Sequence, residues 1–442
     1  MKPISLLIII LCATACGNRD ARANATASPA PAVTPTSVVS APPTSVPTRE
    51  ATRVPASPTQ TTERRPSATP FDCIPGSSCR EIKIQGDAHY ALPNGKPSPF
   101  AGYADPSLRQ DPLSKTVWLG YSWPNYHIAD GKQTPGVDIH LAKSGDGGNS
   151  WTLVKNLFPS TPMPNPARPN ETGYLDHEVV NLLPVVENNR VTWYAARLDY
   201  FVPNVGGYAA RPSNSFHLRV FKADSPEALS DAPFAILSSN LTAKEWGAHQ
   251  ILQTLSPELS DVGFWNEPAL AYEDGRLYLV TVAFVYDARN NPVMNRHNAY
   301  VFSTEPTGAP NTWRWTFNGT LASARDANEL GAQRLTQIDL ARGADGKWLL
   351  IATPDDWHTT ARDYNHKGCQ ALEIQSLKNP ALARGADGKL RVRAIITASD
   401  SNELGSAACT YDPNSASGII LTRRVKTANE LTVSLWQTGI KP

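Results

Sequence analysis

The stretch "RLYLVTVAFV", Arg276–Val285, has the composition of a buried β-strand and directly follows the short turn "EDG". Apolar, β-branched and aromatic residues fill it, and its length suits a strand better than a helix. Four other stretches have the same character and also follow short turns. The equivalent positions of all five stretches are Val117, Val191, Leu277, Trp348 and Ile419, which are 74, 86, 71 and 71 residues apart. A supersecondary unit repeated at a nearly fixed period predicts a propeller or a solenoid.

The first repeat shows the order of strands within a unit. Four strand-like segments follow one another there: "ADPSLRQ", "TVWLGYS", "GVDIHLAKS" and "WTLVKNL". Four antiparallel strands per unit form a propeller blade. We therefore predict an all-β fold, a five-bladed β-propeller in which the five apolar stretches are the second strands. The step of 86 residues leaves a six-bladed, sialidase-like ring as the alternative.

The last repeat is one strand short, since it ends after "ELTVSLWQTG". A propeller avoids an open sheet edge when a strand from the other end of the domain completes the last blade. We expect "REIKIQG", beginning at Arg80, to supply that strand and to pair near Val433.

The turn "SGDGGNSW", Ser144–Trp151, lies between the third and fourth strands of the first repeat. It is similar to the Asp-box turns of sialidases and of many other propellers. In such a turn the acid, here Asp146, accepts hydrogen bonds from its own loop, Gly148 supplies a permissive backbone, and Trp151 packs inward. The motif indicates a structural turn and carries no chemistry.

The N-terminus indicates export. Residues 1–15 combine a short charged start with an apolar run that is too short to span a bilayer, and Cys16 follows small residues. This resembles a bacterial lipoprotein signal, which implies that Cys16 is lipidated; an ordinary secretory signal is the alternative. Residues 16–70 are rich in Pro, Thr and Ser and predict a disordered tether, so that the propeller domain spans 71–442. We expect a lipid-anchored, extracytoplasmic protein of the bacterial cell envelope.

The charge balance and the cysteines narrow the function classes. The chain has 41 Lys and Arg against 40 Asp and Glu, so nothing points to nucleic acid. In an oxidising compartment we expect the disulfides Cys73–Cys79 and Cys369–Cys409. Zinc is the alternative for these cysteines, but no CxxC or HExxH spacing supports it. We expect no cofactor or metal, contact with the membrane through the lipid only, and a monomer.

One face of the predicted ring collects long loops and acids. The loops between second and third strands are long and rich in aromatic residues, Arg and His, whereas the opposite turns are short. Long loops on a rigid scaffold are a common place for function. On the same face the first strands begin with carboxylates. They are Asp105, Asp176, Glu178, Glu267 and Asp339.

This arrangement resembles the five-bladed propeller glycoside hydrolases of the arabinanase and β-xylosidase type, family 43. That family has an Asp general base in a "DP" motif of its first blade, a second Asp in the next, and a Glu general acid before Pro in the third. The resemblance implies that Asp105 is the base, Asp176 or Glu178 the second acid, and Glu267 the general acid. In such a pair one carboxylic acid protonates the leaving oxygen and one carboxylate activates water.

Further residues near these acids have side chains that suit carbohydrate binding. Aromatic rings stack on sugar faces, whereas Arg and His hold hydroxyls or acidic substituents. For Asp339 alone, capping of backbone amides or pairing with an Arg is the preferred interpretation. The candidate binding residues are Trp123, Tyr126, His177, Arg197, Trp265, Arg296, Arg334, Asp339 and Trp357.

Three functions stay open from the sequence. The first is a glycoside hydrolase that acts on extracellular oligo- or polysaccharide through paired carboxylates. The second is a propeller that binds carbohydrate or serves as a scaffold without catalysis. The third is a sialidase-like exo-glycosidase, which needs an Arg trio and a Tyr–Glu nucleophile pair. No Arg motif of that kind is visible near the start of the domain.

Overall fold

A computed structural model gives the structure of the protein and describes residues 68–88, 91–92, 94–165, 168–204, 216–239, 251–287, 292–358, 363–398, 406–426 and 431–442. All of these belong to one compact unit, and residues 18–66 lie outside the described residues. The predicted signal peptide and Cys16 also lie outside them, as does nearly all of the tether.

The described chain is almost entirely β-sheet. Its helical parts are one α-helix, α1 (Ala324–Glu329), and short 3₁₀ helices at Glu227–Asp231, Gln253–Leu255, Pro257–Leu259, Met294–Arg296 and Pro310–Thr312. The strands are β1 (Pro70–Asp72), β2 (Arg80–Glu81), β3 (Ile84–Gln85), β4 (Phe100–Gly102), β5 (Ala104–Gln110), β6 (Val117–Ala129), β7 (Lys132–Ser144), β8 (Trp151–Phe158), β9 (Thr161–Asn165), β10 (Arg168–Glu187), β11 (Arg190–Pro203), β12 (Phe216–Ala223), β13 (Phe234–Ser239), β14 (Phe264–Glu273), β15 (Arg276–Phe284), β16 (Asn298–Thr304), β17 (Thr316–Ala322), β18 (Arg334–Arg342), β19 (Trp348–His358), β20 (Asp363–His366), β21 (Cys369–Ser376), β22 (Ala381–Leu382), β23 (Val392–Thr397), β24 (Ser406–Thr410), β25 (Ile420–Lys426) and β26 (Leu431–Gln437).

These strands form five sheets in a β-propeller arrangement. Sheet 1 contains β5–β8, sheet 2 β10–β13, sheet 3 β14–β17, sheet 4 β18, β19, β21 and β23, and sheet 5 β24–β26. Neighbouring strands within each of these sets are antiparallel. The five apolar stretches are β6, β11, β15, β19 and β25, and each is the second strand of its sheet, as the repeat predicts.

The first strands of the sheets contact one another in sequence. β5 contacts β10, β10 contacts β14, β14 contacts β18, β18 contacts β24, and β24 returns to β5. Apolar side chains fill the spaces between neighbouring sheets, as between sheets 2 and 3 and between sheets 4 and 5. Burial of these faces drives the sheets together, and the ring leaves the starts of the first strands side by side.

The same irregularity recurs in all five first strands. In each of them the register with the second strand shifts once, and the first residue inside the shifted segment has a positive φ. Such a bulge bends the strand and redirects a side chain. The bulge recurs at Val179 and Ala408, whose side chains cannot take part in acid–base chemistry. It is therefore a feature of the fold and not of the site. The positive-φ residues are Asp105, Val179, Glu267, Gln337 and Ala408.

The N-terminal part of the domain completes sheet 5, as predicted. Arg80 pairs with Gln437 in antiparallel register, and the Ile82 N–H donates to the carbonyl of Leu435. The chain then continues to sheet 1, where β3 pairs with β8, and β4 returns to lie parallel to β26. The outer edge of each of these two sheets, β8 in sheet 1 and β26 in sheet 5, is therefore covered by this segment.

Gly102 allows β4 to approach β26. It pairs with Val433 at a φ of 119°, and a Cβ there would lie 1.7 Å from the Val433 carbonyl oxygen. We expect Gly102→Ala to lower the free energy of unfolding by about 1–3 kcal/mol, because backbone strain of this kind costs that much before β4 detaches. Urea unfolding measures the change, with the matched variant Gly95→Ala as control. Equal midpoints for wild type and Gly102→Ala would contradict a close approach.

The turn after β7 has the hydrogen bonds predicted for it. Asp146 accepts the hydroxyl protons of Ser144 and Ser150 and the N–H groups of Asn149 and Ser150. These hydrogen bonds, the one from Ser144 first, lower the pKa of Asp146 below its usual range. The Trp151 ring is buried between sheets 1 and 5. Asp146 thus has a structural role.

Both predicted disulfides are present. Cys73–Cys79 closes a short loop with a Cα–Cα distance of 5.2 Å, and Cys369–Cys409 joins β21 of sheet 4 to β24 of sheet 5 at 6.2 Å. All four cysteines are buried. The second bridge links two sheets that are also joined by side-chain packing and by hydrogen bonds such as that from the Gly368 N–H to the Ser406 carbonyl.

Candidate functional site

Three carboxylates from three successive sheets meet where the first strands begin. Asp105 comes from β5, Glu178 from β10 and Glu267 from β14, and their residues are 5%, 2% and 0% exposed. Each interacts electrostatically with at least one of the others. We call Asp105, Glu178 and Glu267 the carboxylate cluster. Of the acids predicted for the site, these three form its centre.

Asp105 holds its proton more tightly than an ordinary aspartate. Burial raises its pKa to about 7, the nearby charge of Glu267 acts in the same direction, and a hydrogen bond from Ser122 and the charge of Arg424 oppose the rise. Its Oδ2 is buried and has no hydrogen-bond partner among the described residues. A carboxyl oxygen of this kind can exchange a hydrogen bond or a proton with a bound molecule.

Glu178 also has a raised pKa. Burial raises its pKa well above the usual range, and the charges of Asp105, Glu267 and Asp176 raise it too, against a hydrogen bond with Tyr200. Like charges held together in a dry site favour the protonated form of one of them. Within the described chain, Glu178 Oε1 is buried without a hydrogen-bond partner. Glu178 is therefore the member of the cluster most suited to donate a proton at neutral pH.

Glu267 has donors around it. Its Oε2 accepts hydrogen bonds from the Thr336 hydroxyl and from the Gln337 N–H, both on β18. A carboxylate in this position acts as an acceptor. The expectation that Glu267 is the general acid and Asp105 the base stays a prediction; burial raises the pKa of Asp105 and that of Glu178.

The raised pKa of Asp105 makes stability depend on pH. An unfolded aspartate releases its proton near pH 4, whereas Asp105 retains it until about pH 7, so the folded state binds the extra proton between these values. Its contribution therefore destabilises the fold as the pH rises through that window. We expect the free energy of unfolding to fall less over this window in Asp105→Asn than in wild type. Urea unfolding at a series of pH values measures this, and identical slopes would contradict the assignment.

Asp176 lies beside the cluster and faces sheet 1. Its Oδ1 is 2.9 Å from His127 Nε2, and its Oδ2 accepts the N–H of Val137 at 3.3 Å. Burial raises its pKa, and the hydrogen bond and charge of His127 oppose the rise. Glu178 interacts with Asp105 and Glu267, whereas Asp176 is bonded to His127, and which of the two is the second acid stays a prediction.

Asp339 lies deeper in the ring, two residues after the bulge of its strand. It pairs with Arg109 of β5 and accepts hydrogen bonds from Asn181 at 2.8 Å and from the Thr410 hydroxyl at 2.7 Å. All four residues are buried. Asp339 thus joins four sheets as a structural centre, in agreement with the preferred interpretation of its role.

The aromatic candidates differ in availability. Trp265 is 2% exposed and packs edge-on against Tyr300 and Phe302 in the core between sheets 2 and 3. It therefore cannot stack on a sugar in this structure, contrary to expectation, because the bulge after Asn266 breaks the alternation that would place its ring on the side of Glu267. Tyr126 is buried against Phe100. Trp123, stacked on His140, and Trp357 are partly exposed on the loop-rich face.

The pair His177 and Arg197 is used inside the protein. His177 Nδ1 lies 2.7 Å and Arg197 Nε 2.6 Å from Asp199 Oδ1, and the guanidinium of Arg197 lies 3.8 Å from the centre of the Phe158 ring. Arg219 binds the other oxygen of the same Asp199. These groups form a buried ionic cluster of sheet 2, so the structure does not place them among the carboxylates.

The remaining two arginines also have acid partners. Arg334 is fully buried and its Nε donates to Asp355 at 2.9 Å, so it links the start of β18 to the C-terminal part of β19. Arg296 is on the surface and binds Asp261 at 2.8 Å. Neither was expected to be neutralised in this way, because their partners are distant in sequence.

The structure adds groups that the sequence patterns did not identify. Arg424 and Tyr200 are buried beside the cluster, and Arg424 acts on Asp105 while Tyr200 bonds to Glu178. Asn266 is fully buried, and neither atom of its amide has a hydrogen-bond partner among the described residues. Its place next to Glu267 was a signal that could have identified it.

The described residues contain neither a metal-binding group nor a membrane-spanning helix. No group of three or more His, Cys, Asp and Glu side chains in this part of the chain is arranged to hold a metal ion. None of its helices is long and apolar enough to cross a membrane.

The sequence matches no protein-family model and no curated protein. Solved structures with similarity to the fold include a family 117 glycoside hydrolase from the marine bacterium Zobellia galactanivorans, with 11% identity, coverage of 81% of this chain and 90% of that chain, and a TM-score of 0.41. An α-L-arabinanase of Cellvibrio cellulosa in complex with arabinohexaose has 12% identity, covers 67% and 81%, and scores 0.36. A glycosyl hydrolase from Bacteroides ovatus has 10% identity, covers 83% and 94%, and scores 0.41. These similarities carry no argument about activity.

Proposed function

We propose that the chain is a glycoside hydrolase that acts on extracellular oligo- or polysaccharide. The observation that carries the proposal is the meeting of Asp105, Glu178 and Glu267 from three sheets, with buried oxygens of two of them unpartnered among the described residues. A structural carboxylate is normally paired with a cation or with backbone donors. Titratable groups whose environments separate their proton affinities are a mark of acid–base catalysis.

The proposed roles follow from the proton affinities and the hydrogen bonds. Glu178, whose raised pKa favours the protonated form, donates a proton to the leaving oxygen of the glycosidic bond. Glu267, held as an acceptor by Thr336 and Gln337, activates water or attacks the sugar. The charges of Glu267 and Asp176, and that of Asp105 once it ionises at about pH 7, favour the proton on Glu178. The bound sugar is held by the buried amide of Asn266.

Hydrolysis of a glycan panel tests this function. The full-length protein is incubated with neutral and acidic plant, algal and bacterial polysaccharides, and new reducing ends are measured. We expect at least one substrate to be cleaved by wild type and not by Glu178→Gln. A panel that wild-type protein leaves intact would overturn the proposal.

A propeller that binds carbohydrate without cleaving it is the second candidate. The nearly complete burial of the carboxylate cluster favours it, because catalysis needs substrate to reach these groups. Binding on a glycan array by wild type and by Glu178→Gln with equal strength, together with no cleavage of the bound glycan, would be its signature.

We also propose that the five sheets are the five blades of one closed ring. The cyclic contacts of β5, β10, β14, β18 and β24 support this count, as does the pairing of β2 and β4 with the last strand. With five blades the first strands lie close around the axis, which suits three carboxylates acting on one bond.

The proposed location is the bacterial cell envelope, with a lipid on Cys16. The apolar segment before Cys16 and the tether after it support this location. We expect Cys16→Ala to abolish labelling by a radioactive fatty acid and to move the protein from the membrane fraction to the soluble fraction, since a lipid anchor supplies the membrane affinity. Cys12→Ala is the matched control. Unchanged labelling of Cys16→Ala would contradict the anchor.

A further inference from the structure

His127 lies where β6 approaches β10 beside the carboxylate cluster. Its Nε2 is 2.9 Å from Asp176 Oδ1, and its ring is stacked on Tyr174 with a centroid distance of 3.8 Å and an interplanar angle of 11°. The side chain is only 12% exposed. The ring is therefore fixed by contacts on one face and by a hydrogen bond at its edge.

A glycine in the neighbouring strand makes room for this ring. A Cβ on Gly136 of β7 would lie 2.1 Å from His127 Nε2. The next residue, Val137, donates its N–H to the second oxygen of Asp176. The contacts with Tyr174, Gly136 and Val137 thus fix His127 and Asp176 in one relative orientation.

Asp176 needs a donor because it is fully buried. Burial raises its pKa, and the hydrogen bond from His127 is the largest opposing influence. His177 acts on Asp176 in the same direction as His127 but more weakly, and its Nδ1 is bonded to Asp199. The titratable groups that face His127 and Asp176 are Asp138 on β7, Tyr174, His177 and Glu178 on β10, and Tyr200 on β11.

We propose that His127 is a positioning residue that holds Asp176 as a carboxylate beside Glu178. This inference rests on the proposed function of the carboxylate cluster. The negative charge on Asp176 helps to keep the proton on Glu178. Loss of His127 lets Asp176 take up a proton, so Glu178 gives up its own proton at a lower pH. The alkaline limb of activity then moves towards lower pH.

The titration of Asp176 tests this directly. In His127→Phe the ring can still stack on Tyr174, but the donor is gone. With carboxyl ¹³C-labelled aspartate, and with Asp176→Asn to assign the signal, we expect the midpoint of Asp176 to rise by roughly 1–3 pH units. In His127→Gln we expect a smaller rise, because the amide N–H still donates. An unchanged midpoint in His127→Phe would overturn the proposal.

Gly136→Ala is an independent variant that retains His127 and displaces its ring. We expect the same upward shift of the Asp176 midpoint. If His127→Phe does not fold, Gly136→Ala tests the role of His127 in its place. If wild type cleaves a glycan, the alkaline limb of kcat/KM should also move down in both variants. If wild type cleaves none, the proposed function fails while the titration still decides the role of His127.

Discussion

Glu178→Gln is expected to lower kcat/KM by about 10²–10⁴-fold, the range for loss of a general acid or base. The amide has nearly the same shape as the carboxylic acid but cannot supply a proton. Because burial raises the pKa of Glu178 and so favours the neutral form that the amide resembles, we expect the thermal midpoint to stay close to that of wild type. The measurement is initial-rate kinetics on a glycan from the panel, with differential scanning calorimetry alongside.

Glu258→Gln is the matched control for this prediction. Glu258 is an exposed glutamate on a 3₁₀ helix. We expect its replacement to leave both kcat/KM and the thermal midpoint unchanged. Retention of most activity in Glu178→Gln would remove Glu178 from the acid role and would leave Asp105 as the remaining proton donor.

Arg109→Met is expected to lower the free energy of unfolding by about 3–5 kcal/mol, since it leaves the buried carboxylate of Asp339 without its cation. Arg109 donates to Asp339, to the Leu340 carbonyl at 2.8 Å and to the carbonyl of Leu108 at 2.6 Å. It therefore ties sheet 1 to sheet 4. Urea denaturation of the full-length protein measures the loss.

Two further variants make this prediction specific. Arg109→Met combined with Asp339→Asn should be more stable than Arg109→Met alone, because a neutral amide does not need the cation. Arg296→Met breaks an exposed ion pair with Asp261 and should cost less than about 1 kcal/mol. Equal losses in Arg109→Met and Arg296→Met would contradict a structural centre at Asp339.

The strands and their order could be predicted because the signal is local. An apolar run after a short turn is visible in the sequence, and its repetition predicts the second strands of the sheets. The pairing of Arg80 with Gln437 was also predictable, because the last repeat lacks a strand and an exposed edge must be covered. The disulfide partners followed from compartment and count.

The roles of individual site residues depend on neighbours that are far away in sequence. Glu267 accepts hydrogen bonds from Thr336 and Gln337, and no pattern near Glu267 indicates these donors. Arg109 lies at the end of a first strand, where the sequence does not distinguish a buried centre from a surface charge. The distribution of protons among the carboxylates is therefore a property of the assembled ring.

A break in the alternation of β14 explains why Trp265 is not at the predicted site. Trp265 and Glu267 are two positions apart, so a regular strand would place both side chains on one face. The bulge that begins after Asn266 changes the phase, and Trp265 stays in the core while Glu267 joins the cluster. The recurrence of bulges at the same place in every repeat became visible only with the register of the strands.

We expect the carboxylate cluster to act directly on a glycosidic bond. A crystal structure of Glu178→Gln with an oligosaccharide that wild type cleaves shows whether it does. We expect the scissile oxygen to lie within about 2.6–3.2 Å of the side-chain amide at position 178. The Glu267 carboxylate should lie on the opposite side of the same sugar. An oligosaccharide bound away from Asp105, Glu178 and Glu267 would contradict the claim.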